Sequence, residues 1–295
     1  MSVLIAETQP IRLANGRFRL ASAGVCLEVD PNVGARVVSL RLGESEVLSQ
    51  PHAHPDNYGS TFWDAPQAAW GWPPRVGLDS APYESTVEGD ALVCQSHVDA
   101  SCGLSFNKRF VALPEEQGFA IRYRIRNHRA QAQRLAPWEV TRVPGGLSFY
   151  PGGDAPNVPA SALAVQRCER GFAWYAFERE QLVVGRKHFG VAREGWLAHV
   201  TPERLLFVKQ FERVGAAQCA EGHAPIEIWG QDGGVYIELE NHGACVSLAP
   251  GAVLDYTVRW FVRPLPPKLE LRAGNPALLR EVEAALQLRR DERAN

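Results

Sequence analysis

No run in the sequence approaches about 18 apolar residues, so no helix long enough to cross a membrane is expected. The opening MSVLIAETQPIRLANGRF lacks a basic stretch ahead of an apolar core, so no export signal is expected either. Neither positive nor negative charge is in large excess. The 31 Lys and Arg stand against 33 Asp and Glu, a formal net charge of -2. Such a chain has no global field to gather nucleic acid or an anionic membrane, and neither is expected as a partner. The six cysteines (Cys26, Cys94, Cys102, Cys168, Cys219 and Cys245) include no Cys-x-x-Cys pair. Without an export signal they read as reduced, buried and structural, in a cytoplasmic protein.

Motifs for phosphate, dinucleotide or zinc chemistry are absent: there is no GxxxxGK[ST], GxGxxG, HExxH or GxSxG. His52 and His54 in PHAHPD could chelate a metal, but no further ligands stand at a suitable spacing. Neither a metal nor an organic cofactor is expected. Helical periodicity is scarce too. Only the tail carries it, with Asn275 as cap, Pro276 at the first position, and Leu278, Leu279, Val282, Leu286 and Leu288 on one face. That predicts a short C-terminal helix over about 275–291.

What fills the rest is alternation with period two, the mark of half-buried strands. In FAIRYRIRNH, Phe119, Ile121, Tyr123 and Ile125 point one way and Arg122, Arg124 and Arg126 the other. No aromatics interleave with those arginines, so the row reads as a solvated sheet face rather than an RNA stripe. VCLEVD, GARVVSLRLGESEVL and LDYTVRWFVRPL repeat the strand pattern, with Gly- and Pro-containing turns between. The expectation is one all-β domain over 1–295. It carries too many strands for one open sheet, so antiparallel sheets must pack face to face.

One stretch breaks the pattern: YGSTFWDAPQAAWGWPP, Tyr58 to Pro74. It sets Trp63, Trp70 and Trp72 beside Asp64 and Gln67. Its Gly and Pro residues argue against a long helix or a strand ladder. Indole faces cover the C–H patches of a pyranose while carboxylates and amides take its hydroxyls, so a sugar-binding loop is one reading. A loop folded under as a satellite hydrophobic cluster is the other. In VYIELENHG, Ile237 and Leu239 claim the core, which puts Tyr236, Glu238 and Glu240 on the opposite face, with His242 joining if the strand runs on. Carboxylate and imidazole on one concave face suit a general base and acid; a solvated outer face is the alternative. Lys209 and Glu139 each share a face with apolar neighbours, and read either as a structural salt bridge or as part of a ligand pocket.

GARVVSLRLGESEVL, IRYRIRNHRAQAQRLAPWEVTRV and IELENHGACVSLAPGAVLDYTVRWFV, in that order, resemble the early, central and closing strands of the galactose mutarotase (aldose 1-epimerase) superfamily. The Trp-rich stretch and the Lys209 strand look closer to a branch other than the true mutarotases. The resemblance covers roughly 20–264. It implies a β-supersandwich with a carbohydrate cleft on a concave face. It also implies a glutamate base at Glu240, through the Leu239-Glu240 step, with Glu238 two residues off as the alternative. The family's acid has no counterpart: where mutarotases carry Asn-His-x-Tyr-Phe, this chain has Ala136-Pro137-Trp138-Glu139, leaving Glu139 or His242 as candidates. Trp63, Asp64, Gln67, Trp70, Lys209 and Glu238 are the expected sugar contacts. The expected activity is a proton-transferring aldose epimerase on a small carbohydrate, or else non-catalytic sugar or protein binding, with a homodimer as an open possibility.

Overall fold

The computed structural model describes residues 8–152, 158–167, 171–182 and 184–287. Among these, the strands form an 11-stranded and a 10-stranded antiparallel sheet. The sheets stack through a shared core that includes Leu27, Phe62 and Leu239 from the first and Phe106, Ile121, Phe207 and Trp260 from the second. Phe62 lies flat on Tyr123 across the interface at 4.1 Å between ring centroids. The chain is an all-β sandwich, as its alternation requires. Each fully buried Leu or Phe in this layer contributes about 1.5–3 kcal/mol.

Six strands of the first sheet matter for the site. In spatial order they are Arg36–Leu42, Ser60–Ala65, Gln133–Val143, Ile237–His242, Ile226–Gly230 and Arg186–Gly190. Ser60–Ala65 corrects the expectation that the Trp-rich stretch excludes a strand. Every residue from Ser60 to Ala65 is buried, so both of its faces are covered and the polar/apolar alternation that marks a one-sided strand is missing. Gly59 delivers the chain into this position at φ 62°, where a Cβ would sit 2.2 Å from the Val37 carbonyl oxygen. Pro66 ends the strand, and two short helical turns follow, Gln67–Ala69 and Val76–Asp79.

In the second sheet the arginine row faces outward, with Arg122 and Arg124 both 2.8 Å from Asp255. The C-terminal helix, Pro276–Gln287, starts where its cap predicts: the Ala277 N–H donates to Asn275 Oδ1 at 3.0 Å. The remainder of the expected 275–291 span lies outside the described residues. Leu278, Val282 and Ala285 pack on Leu206, Val208 and Phe261, so this part of the sheet is covered on both faces and LLFV, 205–208, reads as an unbroken apolar run. Cys26, Cys94, Cys102, Cys219 and Cys245 are free thiols, three of them buried; Cys168 lies outside the described residues.

Candidate functional site

Register places the site. Trp138 pairs with Trp63 on one side and His242 on the other. Val140 pairs with Glu240, and Glu240 in turn with Glu227. Arg142 pairs with Glu238, Glu238 with Trp229, and Trp229 with Lys187. Because side chains alternate, these rungs put Trp63, Trp138, Arg142, Glu238, Glu240, His242, Glu227, Trp229 and Lys187 on the outer face of the first sheet. A cleft of about 360 Å³ opens there, walled by Trp63, Trp72, Trp138 and Trp229 and edged by Asn57, Gln67, Lys187, Tyr236 and Glu238.

Beneath the indoles lies a buried charged cluster. The Lys187 ammonium sits between two carboxylates, in contact with Glu227 Oε2 and 3.0 Å from Glu240 Oε2. It also lies 5.2 Å from the Trp138 ring centroid. The Trp138 indole N–H donates to Glu240 Oε2 at 2.8 Å. Burial pushes the Glu240 carboxyl well above its ordinary range; Lys187 pulls it down, and the Glu227 charge pushes it back up. Burial works against ionising Glu227 as well, but His242, Lys187 and the His223 N–H outweigh it and hold that carboxyl well below its usual range. The two carboxyls titrate as a pair, with burial holding Glu240 toward its protonated form and the neighbouring cation and imidazoles holding Glu227 toward its ionised one. Lys187 loses ground to burial but gains more from Glu240 and Glu227, and stays firmly cationic. Burial keeps His242 neutral, with its pKa lowered to about 4.

His223, Glu227 and His242 bring three ligand-type atoms within 4.8 Å of one another, a donor set suited to a divalent transition ion. The hydrogen bonds favour a different state. The Gln67 backbone N–H donates to His223 Nε2 at 3.1 Å, which leaves the proton on Nδ1, and Nδ1 donates to Glu227 Oε1 at 3.0 Å. An ion bound at Nδ1 would have to displace that proton and break the Gln67 contact. As arranged, His223 links the Trp-rich loop to the buried Glu227 carboxylate by hydrogen bonds.

Of the residues anticipated from sequence, Trp63, Gln67 and Glu238 line the cleft. Trp70 supports it from behind: its ring lies 5.8 Å from Trp63 and 6.2 Å from Trp138, and its N–H donates to the Asp64 carbonyl at 2.7 Å. Glu240 and His242 lie on the cleft's face but beneath it, fully buried, with the Trp138 ring stacked 5.2 Å from His242. Asp64 turns away to pair with Arg75 at 2.7 Å. Glu139 and Lys209 are not at the cleft. Glu139 follows Trp138, so it points to the opposite face, between the sheets. There it meets Lys209 at 2.9 Å and accepts from the Tyr123 hydroxyl at 2.7 Å. That is the salt-bridge alternative, not the pocket. Lys187, Glu227, Trp229 and His223 were not anticipated, although IEIW alternates just as IELE does.

No family model matches the chain, and no curated protein matches it in sequence. Its similarity is structural. A galactose mutarotase-like protein from Lactobacillus casei superposes with a TM-score of 0.60 at 10% identity, over 84% of this chain and 100% of that one. A galactose mutarotase related enzyme from Lactobacillus acidophilus gives 0.56 at 8% identity, over 86% and 100%. A TPR-domain containing protein from Parabacteroides distasonis gives 0.59 at 15% identity, over 87% of this chain but 49% of that longer one. The fold is that of the galactose mutarotase-like proteins.

Proposed function

We propose that the chain binds a carbohydrate in the tryptophan-walled cleft. The observation that carries this reading is four indoles on one cavity of about 360 Å³, together with a carboxylate, an ammonium and two amides at its edge. Pyranose C–H faces lie on Trp63, Trp138 and Trp229, while Glu238, Lys187, Asn57 and Gln67 take hydroxyls. Each cation has its own anion: Lys187 has Glu227, and Arg142 has Glu238 at 2.9 Å. A cleft balanced in this way favours a neutral sugar over a phosphorylated or acidic one. Calorimetric titration of neutral hexoses against their 6-phosphates tests this: the neutral forms bind more tightly, and Glu238→Gln weakens them.

A second reading, an aldose epimerase-type isomerase, is favoured by one feature, the carboxylate and phenol lining the same cleft. Glu240 is fully buried, sealed under Trp138 and Lys187, and burial disfavours its ionised form, so it is the wrong carboxyl to touch the sugar. Glu238 takes the proton of the anomeric hydroxyl instead. The Tyr236 hydroxyl, its pKa raised to about 12 by burial and then by the Glu238 charge, gives a proton to the ring oxygen as the C1–O5 bond breaks. Anomer exchange followed by NMR tests this: acceleration lost in Glu238→Gln supports it, and unaccelerated exchange for every aldose removes it.

A further inference from the structure

We propose that the cleft is one of two adjoining sugar subsites and that the ligand is a neutral disaccharide or longer oligosaccharide, one ring lying on each side of Trp72. The inference rests on the sugar-binding reading above. A second cavity of about 370 Å³ opens beside the first, and Asn57 and Trp72 belong to the walls of both. A single pyranose occupies one cavity and leaves the other empty; two rings joined by a glycosidic oxygen fill the pair.

The second cavity has one indole, the shared Trp72, and like the first it sets an apolar wall against polar side chains, Arg36 and His54 among them. Its apolar wall is Tyr58, Pro73, Pro74 and Val76, and its polar edge includes Asp56 and Asp79. Apolar faces with oxygen acceptors between them are what a hydroxylated ring requires. Trp72 stands between the two spaces with 58% of its surface exposed, its ring 6.2 Å from Trp63. A large indole left that open, with a cavity on either side, is a platform for a ligand that spans both.

The partition between the cavities is bonded as one unit. Trp63, in the first wall, donates its indole N–H to Asp79 Oδ1 at 2.7 Å, in the second. Asp79 Oδ2 accepts from the Arg36 guanidinium at 3.3 Å. Arg36 is itself buried, donates to the Asp56 carbonyl at 2.5 Å, and lies 4.7 Å from the Tyr58 ring centroid. A buried arginine–aspartate pair on the second cavity, tied through Asp79 to the Trp63 wall of the first, fixes their relative position before any ligand arrives, which limits the ordering cost of binding. The ring carrying the free anomeric carbon sits in the first cavity, beside Glu238 and Tyr236, and the second ring lies toward Val76.

Calorimetry with glucose, galactose, maltose, cellobiose and lactose tests the proposal. The expected result is that at least one disaccharide binds about tenfold more tightly than either component monosaccharide. Val76 is 66% exposed, so Val76→Trp fills the second cavity without disturbing the core. In that variant, checked for native circular dichroism and melting temperature, the affinity ratio of disaccharide to monosaccharide falls to about one. Monosaccharide binding with no gain for any disaccharide overturns the two-subsite proposal and leaves the sugar-binding reading standing. A gain that persists in Val76→Trp also overturns it. Absence of binding by all five sugars overturns both.

Discussion

Trp138 donates its indole N–H to Glu240 across 2.8 Å, so the ring that walls the cleft also seals the carboxyl beneath it. The glutamate that the superfamily resemblance marks as base is therefore buried, where its ionised form is disfavoured, and the carboxylate that reaches the cleft is Glu238.

Glutamine mimics a protonated carboxyl, so Glu240→Gln keeps the Trp138 and Lys187 contacts and changes unfolding free energy by less than about 1 kcal/mol. Glu227→Gln behaves differently. It removes the charge that Lys187 faces and weakens the acceptor for the His223 and Ala224 N–H groups, and it costs about 3 kcal/mol. Urea unfolding of the two variants checks the assignment; equal losses would place the proton elsewhere.

Lys209 and Glu139 form a buried pair between the sheets, 1% and 0% exposed at their side chains. Lys209→Met leaves Glu139 buried without the ammonium it contacts, the Tyr123 hydroxyl still donating to it, and costs about 3–5 kcal/mol. Adding Glu139→Gln recovers part of that loss. A double mutant no more stable than Lys209→Met alone contradicts the pairing.

Burial lowers His199 to about 3, against an ordinary value near 6.5. Between those values the unfolded chain binds the proton and the folded chain does not, so stability falls as pH drops below about 6.5. Lys108, lowered to about 8 chiefly by burial, acts at the alkaline end. Above pH 8 the folded chain releases its proton first, so its contribution rises with pH toward the ordinary lysine value. Denaturant midpoints from pH 4 to pH 9 check both directions. His199→Gln flattens the acid limb by up to about 1.4 kcal/mol per pH unit.

Lys187→Met removes the cation between Glu227 and Glu240 and one ligand-facing donor. Sugar affinity falls about tenfold, and stability falls by about 3 kcal/mol. A stability loss with unchanged affinity would restrict Lys187 to a structural role.

The strands and the C-terminal helix were legible because period two, period 3.6 and a capping asparagine are local signals. Half of the site was legible for the same reason: Ile237 and Leu239 fix the opposite face for Glu238, Glu240 and His242. The same pattern in Ile226–Trp229 carries Glu227 and Trp229. Lys187 had no local signal, since it meets Glu240 only through strand pairing across 53 residues. Glu139 was ambiguous for want of one bit of information, the parity of Trp138. Once that ring faces the cleft, its neighbour cannot. Ser60–Ala65 hid as a strand because burial on both faces erases alternation.

A carbohydrate bound in this cleft would lie against its indoles. Saturation-transfer NMR with galactose, glucose and lactose tests it most directly. The expected result is transfer to the ring C–H protons in the wild-type chain and its loss in Trp138→Ala and Glu238→Gln variants that remain folded. Transfer to none of these sugars, or transfer undiminished in both variants, would contradict it.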